Sequence, residues 1–393
     1  MMNSRKRSPS TICVQGNESQ TSGPAVVPIV QTSTFVFENQ QQMLDAVQGK
    51  TGKDVYTRWS NPTTKSVEEK MNALECTEDT HIVSSGMAAI SSAIMGLVKR
   101  GERILSSDSI YGGTVNLFNK ILIPNGYQID YVDTAELADR LSDSGSNYKL
   151  VFFETPTNPT LKVIDIKKVA DAAQATDTVS MVDSTFGSPI NQRPYTLGVD
   201  LVMHSATKYL GGHSDIIAGT ISGSKEIMAE VRTAAKLLGG TMDPFASFLL
   251  DRGLKTLGVR VQRHNSNASF LAEKLSKDSR IKKIHYPGLK NHPQYDIAEK
   301  QMDGFGGMMS IDIDSDLEGT SKFVDSLEIF LNAVSLGGVE SLASIPALTT
   351  HYGLDESALN EMGISTSTVR LSVGIEDCND LLNDLMAGLD VIG

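Results

Sequence analysis

The sequence predicts an α/β fold with a mostly parallel central sheet, helices on both of its faces and a smaller C-terminal α/β domain. Short apolar runs recur at 103–105, 150–153, 179–182 and 201–203. They are continuous rather than alternating, as expected of strands covered on both faces. Helix-like stretches flank these runs, and that βα order builds a parallel sheet. The 393 residues also exceed what one typical core serves, so two or three domains are expected.

Taken in order, the first sixty or so residues are polar and broken by Pro24, Pro28 and Gly52. Residues 1–60 are therefore expected to form an arm rather than a domain. From Thr63 the pattern changes, with Val67, Met71 and Leu74 on one helical face. His81-Ile82-Val83 reads as a strand, followed by a Ser84-Ser85-Gly86-Met87-Ala88-Ala89 turn and an apolar helix to about Val98. The apolar runs carry the sheet onward through Met203, and 61–248 is expected to be the larger domain. After Pro244 one long helical segment passes through Leu249, Leu254, Leu257 and Val261. Gly304-Phe305-Gly306-Gly307 reads as a tight turn into a strand at 308–313, and a last helix covers 378–389. These elements make up the expected C-terminal domain, 249–393.

Composition narrows the class of function. Hydrophobic residues are 40% and charged residues 21% of the chain, ordinary values for a globular protein. A net charge of −12 and a pI near 5.1 argue against a nucleic-acid partner, which needs a basic face. No segment reaches the roughly 18 uninterrupted apolar residues of a membrane span. Arg5, Lys6 and Arg7 lead into Ser8-Pro9-Ser10 rather than an apolar stretch, so no secretory signal is expected. Cys13, Cys76 and Cys378 are far apart and lack Cys-x-x-Cys spacing. They indicate neither a disulfide framework nor zinc, and a cytoplasmic location fits. His204, His213 and Asp215 lack the i, i+4 pairing of a two-histidine zinc site. Loop polarity is the expected explanation for them, and no metal is expected.

The chemistry concentrates at His204-Ser205-Ala206-Thr207-Lys208-Tyr209-Leu210-Gly211-Gly212-His213, where one lysine sits among hydroxyls and glycines just after an apolar run. Upstream, the run at 179–182 ends in Asp183. Both polar groups thus fall just past the carboxyl ends of expected strands, where open α/β sheets bind ligands. Pyridoxal phosphate needs a lysine to condense with its aldehyde and a carboxylate to keep its pyridine nitrogen protonated. Lys208 and Asp183 suit those roles. The turn at 84–89 opens a helix, and a helix N-terminus favours an anion such as the cofactor's phosphate. Ser205 and Thr207 offer further hydroxyl donors.

The order and wording of these pieces resemble the Cys/Met-metabolism family of pyridoxal-phosphate enzymes, which includes cystathionine γ-synthase, cystathionine γ-lyase, methionine γ-lyase and the homoserine-ester sulfhydrylases. The resemblance runs through Tyr56-Thr57-Arg58-Trp59-Ser60-Asn61-Pro62-Thr63, Tyr111-Gly112-Gly113-Thr114 and Glu154-Thr155-Pro156-Thr157-Asn158-Pro159. It continues through the aspartate and lysine motifs, Gly253-Leu254-Lys255-Thr256-Leu257, Ser335-Leu336-Gly337-Gly338 and Arg370-Leu371-Ser372-Val373-Gly374. It implies a fold-type-I pyridoxal-phosphate transferase-like architecture. Lys208 would hold the cofactor and move protons, Asp183 would pair with its ring nitrogen, and Tyr111 would stack on the ring and act as a general acid. Gly86, Met87, Ser205 and Thr207 would bind the phosphate from one subunit, with Tyr56 and Arg58 reaching it from a neighbour. Arg370 would grip the substrate carboxylate beside Asn158, with Ser335 among the substrate-binding residues. The resemblance further suggests a homotetramer built as a dimer of active-site dimers.

Two positions bear on the substrate, a small sulfur amino acid. Where the cystathionine enzymes of the family carry an arginine and a glutamate that meet the distal end of cystathionine, this chain has Asn116 and Val334. Losing charged partners for both ends of a zwitterion costs several kcal/mol of recognition, whereas Val334 suits a thioether methyl. Gly113 and the stretch Gly337-Gly338-Val339-Glu340-Ser341-Leu342 depart from the methionine γ-lyase pattern, and the latter looks more like the cystathionine enzymes. The expectation is α,γ-elimination from L-methionine or a related homocysteine derivative. Cystathionine γ-lyase, cystathionine γ-synthase or sulfhydrylase activity is the alternative. A relative that binds without catalysing is the non-enzyme reading, and it would be marked by loss of Lys208 or Asp183.

Overall fold

The computed structural model describes residues 7–16, 22–143, 145, 147–349, 352, 353, 357, 359 and 362–392. Seven strands form the first sheet: β1 (Asp79–Val83), β2 (Arg103–Ser107), β3 (Gln128–Val132), β4 (Tyr148–Glu154), β5 (Val179–Asp183), β6 (Leu201–Ser205) and β7 (Gly219–Gly223). Their order across the sheet is β1-β7-β6-β5-β4-β2-β3, and only β7 runs against its neighbours. Side chains alternate between faces along each strand. Leu150 and Phe152 therefore join the core under helices Gly86–Leu97 and Lys225–Leu238, while Val151 and Phe153 join the core under helices Leu137–Ser142 and Ile166–Ala175. Both faces are covered, as the continuous apolar runs require.

A second sheet consists of β8 (Ile281–His285), β9 (Met308–Ile313), β10 (Leu331–Asn332), β11 (Leu342–Ser344) and β12 (Thr368–Ser372), in the order β10-β11-β12-β9-β8. Helices Leu257–Leu275, Leu317–Ser326 and Cys378–Ile392 pack on it through Leu271, Phe323 and Leu385. This is the smaller α/β unit that the sequence predicts. The turn at 304–307 does lead into a strand, β9.

Two expectations need correction. The long helical segment after Pro244 is two helices, Pro244–Lys255 and Leu257–Leu275, separated at Thr256. The break lets the buried Arg260 side chain turn back and donate to Gly253 O (2.8 Å) and Tyr209 O (2.7 Å). His204 is also not a loop residue. It lies in β6, is 1% exposed, and bonds through Nε2 to Glu75 Oε1 at 2.5 Å. Among the described residues no group of three or more histidine, cysteine and acidic side chains is placed to hold a metal ion. His213 and Asp215 do lie on an exposed loop.

Within the first sixty residues, helix Pro9–Gln15 buries Ile12 and Cys13 against the core shared by helices Pro62–Glu75 and Leu257–Leu275. Farther on, Val26, Val36, Leu44 and Val47 are exposed. No helix among the described residues is long and apolar enough to cross a membrane.

The reversed strand β7 places Gly219 against the turn before helix Gly86–Leu97, where a Cβ would fall 2.2 Å from Ser85 O. Gly219→Ala is therefore expected to destabilise the fold by about 1–3 kcal/mol, the usual range for overpacking. A lower urea midpoint at unchanged slope would show this, and an unchanged midpoint would contradict it.

Candidate active site

The carboxyl ends of β4, β5 and β6 deliver Glu154, Asp183 and Ser205 to one edge of the sheet. A cavity of about 330 Å³ opens there, within the size range of small-ligand sites. Of the residues expected from sequence, Gly86, Met87, Tyr111, Asn158, Asp183, Ser205, Thr207, Lys208, Val334, Ser335 and Arg370 line it.

Lys208 sits on the loop that follows β6. Its Nζ donates to Ser335 Oγ at 2.7 Å, tying the lysine to the C-terminal unit. Burial, aided by the Arg370 charge and opposed by Asp183, pushes its pKa down to about 8. Ser335 holds φ at 90°, a left-handed conformation that a non-glycine residue keeps only where its surroundings enforce it. At Gly337, which also has positive φ, a Cβ would lie 2.8 Å from Tyr209 N, so this segment packs directly on the lysine loop.

Asp183 is 7% exposed, and its Oδ1 accepts from Thr185 N (2.9 Å) and Thr185 Oγ1 (2.5 Å). Burial raises its pKa, while the two Thr185 bonds pull it back toward the charged form. Both bonds fall on Oδ1; Oδ2 carries neither. Thr185 also accepts from Ser205 N at 2.8 Å, linking the aspartate to the lysine strand.

At the other end, Ser85 caps helix Gly86–Leu97, its side chain accepting from Ala88 N at 3.0 Å. Gly86 and Met87 lie in the first turn, where backbone N–H groups have no partner inside the helix. The cradle is close-fitting, since a Cβ on Gly86 would lie 3.0 Å from Ser205 Cβ. Arg370, in the middle of β12 and 4% exposed, donates from Nη1 to Asn158 Oδ1 (3.1 Å) and from Nη2 to Ser335 O (3.0 Å). Burial lowers its pKa to about 10, with Glu154 and Tyr111 opposing.

Three expected residues lie elsewhere. Asn116 is on the exposed side of helix Gly112–Leu117 and does not line the cavity. Tyr56 and Arg58 are also away from the cavity of their own chain; Arg58 stacks 5.6 Å from the Tyr56 ring and donates to Lys236 O at 2.6 Å.

The structure adds Glu154, Thr185 and Ile217 to the site. Glu154 had the same signal as Asp183, an acid ending an apolar run, and Thr185 follows its aspartate at the i+2 spacing of a local side-chain turn. Ile217 gave no signal in sequence.

These side chains fit pyridoxal phosphate: an amine close to neutrality, a pinned carboxylate, a helix N-terminus with hydroxyls beside it, and an arginine free to take a further carboxylate. When bound, the cofactor supplies an electron sink for a carbanion. Because only the neutral amine attacks an aldehyde, capture of added pyridoxal phosphate by the apoprotein is expected to accelerate through a midpoint near pH 8. Stopped-flow absorbance would measure it. A midpoint near 10.5, the ordinary lysine value, would mean that burial and Arg370 do not act on Lys208.

The comparisons agree with this geometry. The family model described as Cys/Met metabolism PLP-dependent enzyme matches residues 10–390. The chain is 41% identical to a cystathionine beta-lyase of Lactococcus lactis subsp. cremoris, over 94% of this chain and 95% of that one. It is 40% identical to a cystathionine gamma-lyase of Bacillus subtilis, covering 96% and 97%, and 38% identical to an L-methionine gamma-lyase of Fusobacterium nucleatum subsp. nucleatum, covering 94% of each. The crystal structure of cystathionine gamma-lyase from Lactobacillus plantarum complexed with L-serine superposes with a TM-score of 0.91 at 36% identity, covering 98% of this chain and 99% of that one. With the lysine, aspartate, helix N-terminus and arginine in one cavity and the match spanning nearly all of the sequence, the chain belongs to the Cys/Met metabolism family of pyridoxal-phosphate-dependent enzymes.

Proposed function

We propose that the enzyme catalyses α,γ-elimination from L-methionine or a related homocysteine derivative, taking up water and releasing 2-oxobutanoate, ammonia and a thiol. The observation that carries this reading is the apolar mouth of the cavity. Its charged lining residues, Glu154, Asp183, Lys208 and Arg370, are buried or half-buried, whereas Val334 and Ile217 are 60% and 69% exposed. Among the described residues, nothing charged in the lining meets the far end of a substrate held at Arg370, and a thioether methyl asks for no such partner.

In this reading Arg370 orients the substrate carboxylate through a charge-assisted fork, with Asn158 fixing the guanidinium. Lys208 Nζ, close to neutrality, takes the proton from Cα and returns protons during the later steps. Asp183 keeps the ring nitrogen protonated. Tyr111, 44% exposed at the cavity wall, donates to the departing sulfur. Gly86, Met87, Ser205 and Thr207 hold the phosphate. Tyr56 and Arg58 act on the site of a neighbouring subunit, consistent with their exposure away from their own cavity, and the exposed Val26, Val36 and Val47 suit a surface covered by that neighbour. We further propose a tetramer of two such dimers in the cytoplasm.

A second reading is cleavage or synthesis of cystathionine, which draws support from the cystathionine enzymes among the similar proteins, or sulfhydrylation of a homoserine ester. Supplying the holoenzyme separately with L-methionine, L-cystathionine and O-acetyl-homoserine plus sulfide distinguishes them. Methanethiol from methionine with poor turnover of cystathionine is the expected result, and efficient use of cystathionine or the ester would transfer the assignment to the second reading. Val334→Glu should raise the preference for cystathionine over methionine on the order of tenfold, the worth of one charge-assisted hydrogen bond; an unchanged ratio of kcat/KM would show that position 334 does not set specificity.

The shared site has its own test. Arg58→Ala and Lys208→Ala proteins are each expected to be nearly inactive, while mixing them under subunit exchange should restore activity in hybrid dimers with one intact site. Failure to recover any activity after verified exchange would contradict a site built from two chains.

A further inference from the structure

Asp183 has a clear partner in the cofactor's ring nitrogen, but the acid beside it has none assigned. Glu154 ends β4 and is the register partner of Asp183 at the end of β5, so the sheet delivers two carboxyl groups side by side. Glu154 is 4% exposed and lines the cavity. Among the described residues it has no salt-bridge partner within 4.0 Å. Its Oε2 instead accepts from Tyr111 N at 2.8 Å. The end of β4 anchors the carboxyl, and this bond places Tyr111.

Tyr111 depends on that placement. It stands at the N-cap of helix Gly112–Leu117 with no side-chain cap bond, and its carbonyl oxygen accepts from Thr114 N (2.8 Å) and Val115 N (3.2 Å). The ring folds back over this first turn, so that a Cβ on Gly113 would lie 2.3 Å from Tyr111 Cε1. With the ring 44% exposed, its location follows from its backbone.

We propose that Glu154 is a positioning residue that acts through the Tyr111 backbone to fix the phenol over the cofactor and near the leaving group. This rests on the role assigned above to Tyr111. Burial and the neighbouring Asp183 charge push the Glu154 carboxyl well above the usual range, with Tyr111 N, Asn158 N and Arg370 pulling back. A neutral acceptor of the same length is therefore the replacement best tolerated, and a shorter acid the worse one.

The test uses holoenzyme carrying Glu154→Gln, Glu154→Asp, Tyr111→Ala and the double change Glu154→Asp/Tyr111→Ala. It reads kcat and KM with whichever of L-methionine or L-cystathionine the wild type turns over, together with the visible circular dichroism of the bound cofactor. Glu154→Gln should lose no more than about threefold in kcat, whereas Glu154→Asp should lose on the order of 30-fold with altered dichroism, since misplacement by about 1 Å can cost 10²-fold. In the Tyr111→Ala background Glu154→Asp should add less than about threefold, because residues that act through one another are not additive. Multiplying losses, or a Glu154→Asp enzyme equal to wild type, would overturn the proposal while leaving the role of Tyr111 intact. If Tyr111→Ala itself changes neither kcat nor dichroism, the earlier assignment fails instead. Should Glu154→Asp not fold, Glu154→Gln against Glu154→Met makes the same comparison: equal activity rejects the proposal, and loss only in the methionine variant, which lacks the acceptor, supports it.

Discussion

Burying charge is the constraint on which this site depends. Glu154, Asp183, Lys208 and Arg370 share one cavity, and withdrawing an ion from water costs several kcal/mol unless partners replace the solvent. Two potential anions and two potential cations offset one another, and the remaining bonds come from the fold. Thr185 pins Asp183, Ser335 receives the Lys208 amine, and Asn158 and the Ser335 carbonyl receive Arg370. The same desolvation that makes the cluster costly brings the lysine near neutrality, where it can both attack an aldehyde and carry a proton.

That balance also explains why the second sheet is present at the site. Arg370 comes from β12, whose register places it between Ser310 on β9 and Ser344 on β11, and Ser335 comes from the segment between β10 and β11. The first sheet supplies both acids and, through the loop after β6, the lysine; the second supplies the arginine and the hydroxyl that steadies the lysine. Neither sheet closes the charge balance by itself. Val334, adjoining Ser335, is exposed at the cavity's mouth, so an apolar side chain facing outward and the hydroxyl that steadies the lysine are separated by one peptide bond.

What the sequence revealed depended on how each residue reported its surroundings. β2, β4, β5 and β6 were legible because covered parallel strands are continuous apolar runs, and Asp183 and Lys208 were legible because one ends such a run and the other lies in the polar loop just after one. β7 was not. Its Gly219-Thr220-Ile221-Ser222-Gly223 has one large apolar side chain, yet every residue is buried, the hydroxyls of Thr80 and Ser222 meeting at 2.7 Å. His204 misled because the residues that follow it are polar, while its partner, Glu75, is remote in sequence and adjacent only in space. Thr256 gave no warning of a helix break, since the break answers to Arg260 and the carbonyls it must reach. Glu154 lay in a recognised motif, but its link to Tyr111 needed a strand register that spacing does not reveal.

The break at Thr256 has a material consequence. Arg260, from the helix that supports the second sheet, crosses to the carbonyl oxygens of Tyr209 and Gly253, in the lysine loop and in the preceding helix. Separating the chain at this junction would take the Arg260 donor away from the Tyr209 oxygen, at a cost of about 1–3 kcal/mol if that oxygen stayed buried, whereas Gly253 O would keep its bonds from Thr256. The two sheets are therefore modular in architecture but joined in energy, since one guanidinium serves the helix that supports the second sheet and the loop that carries the lysine.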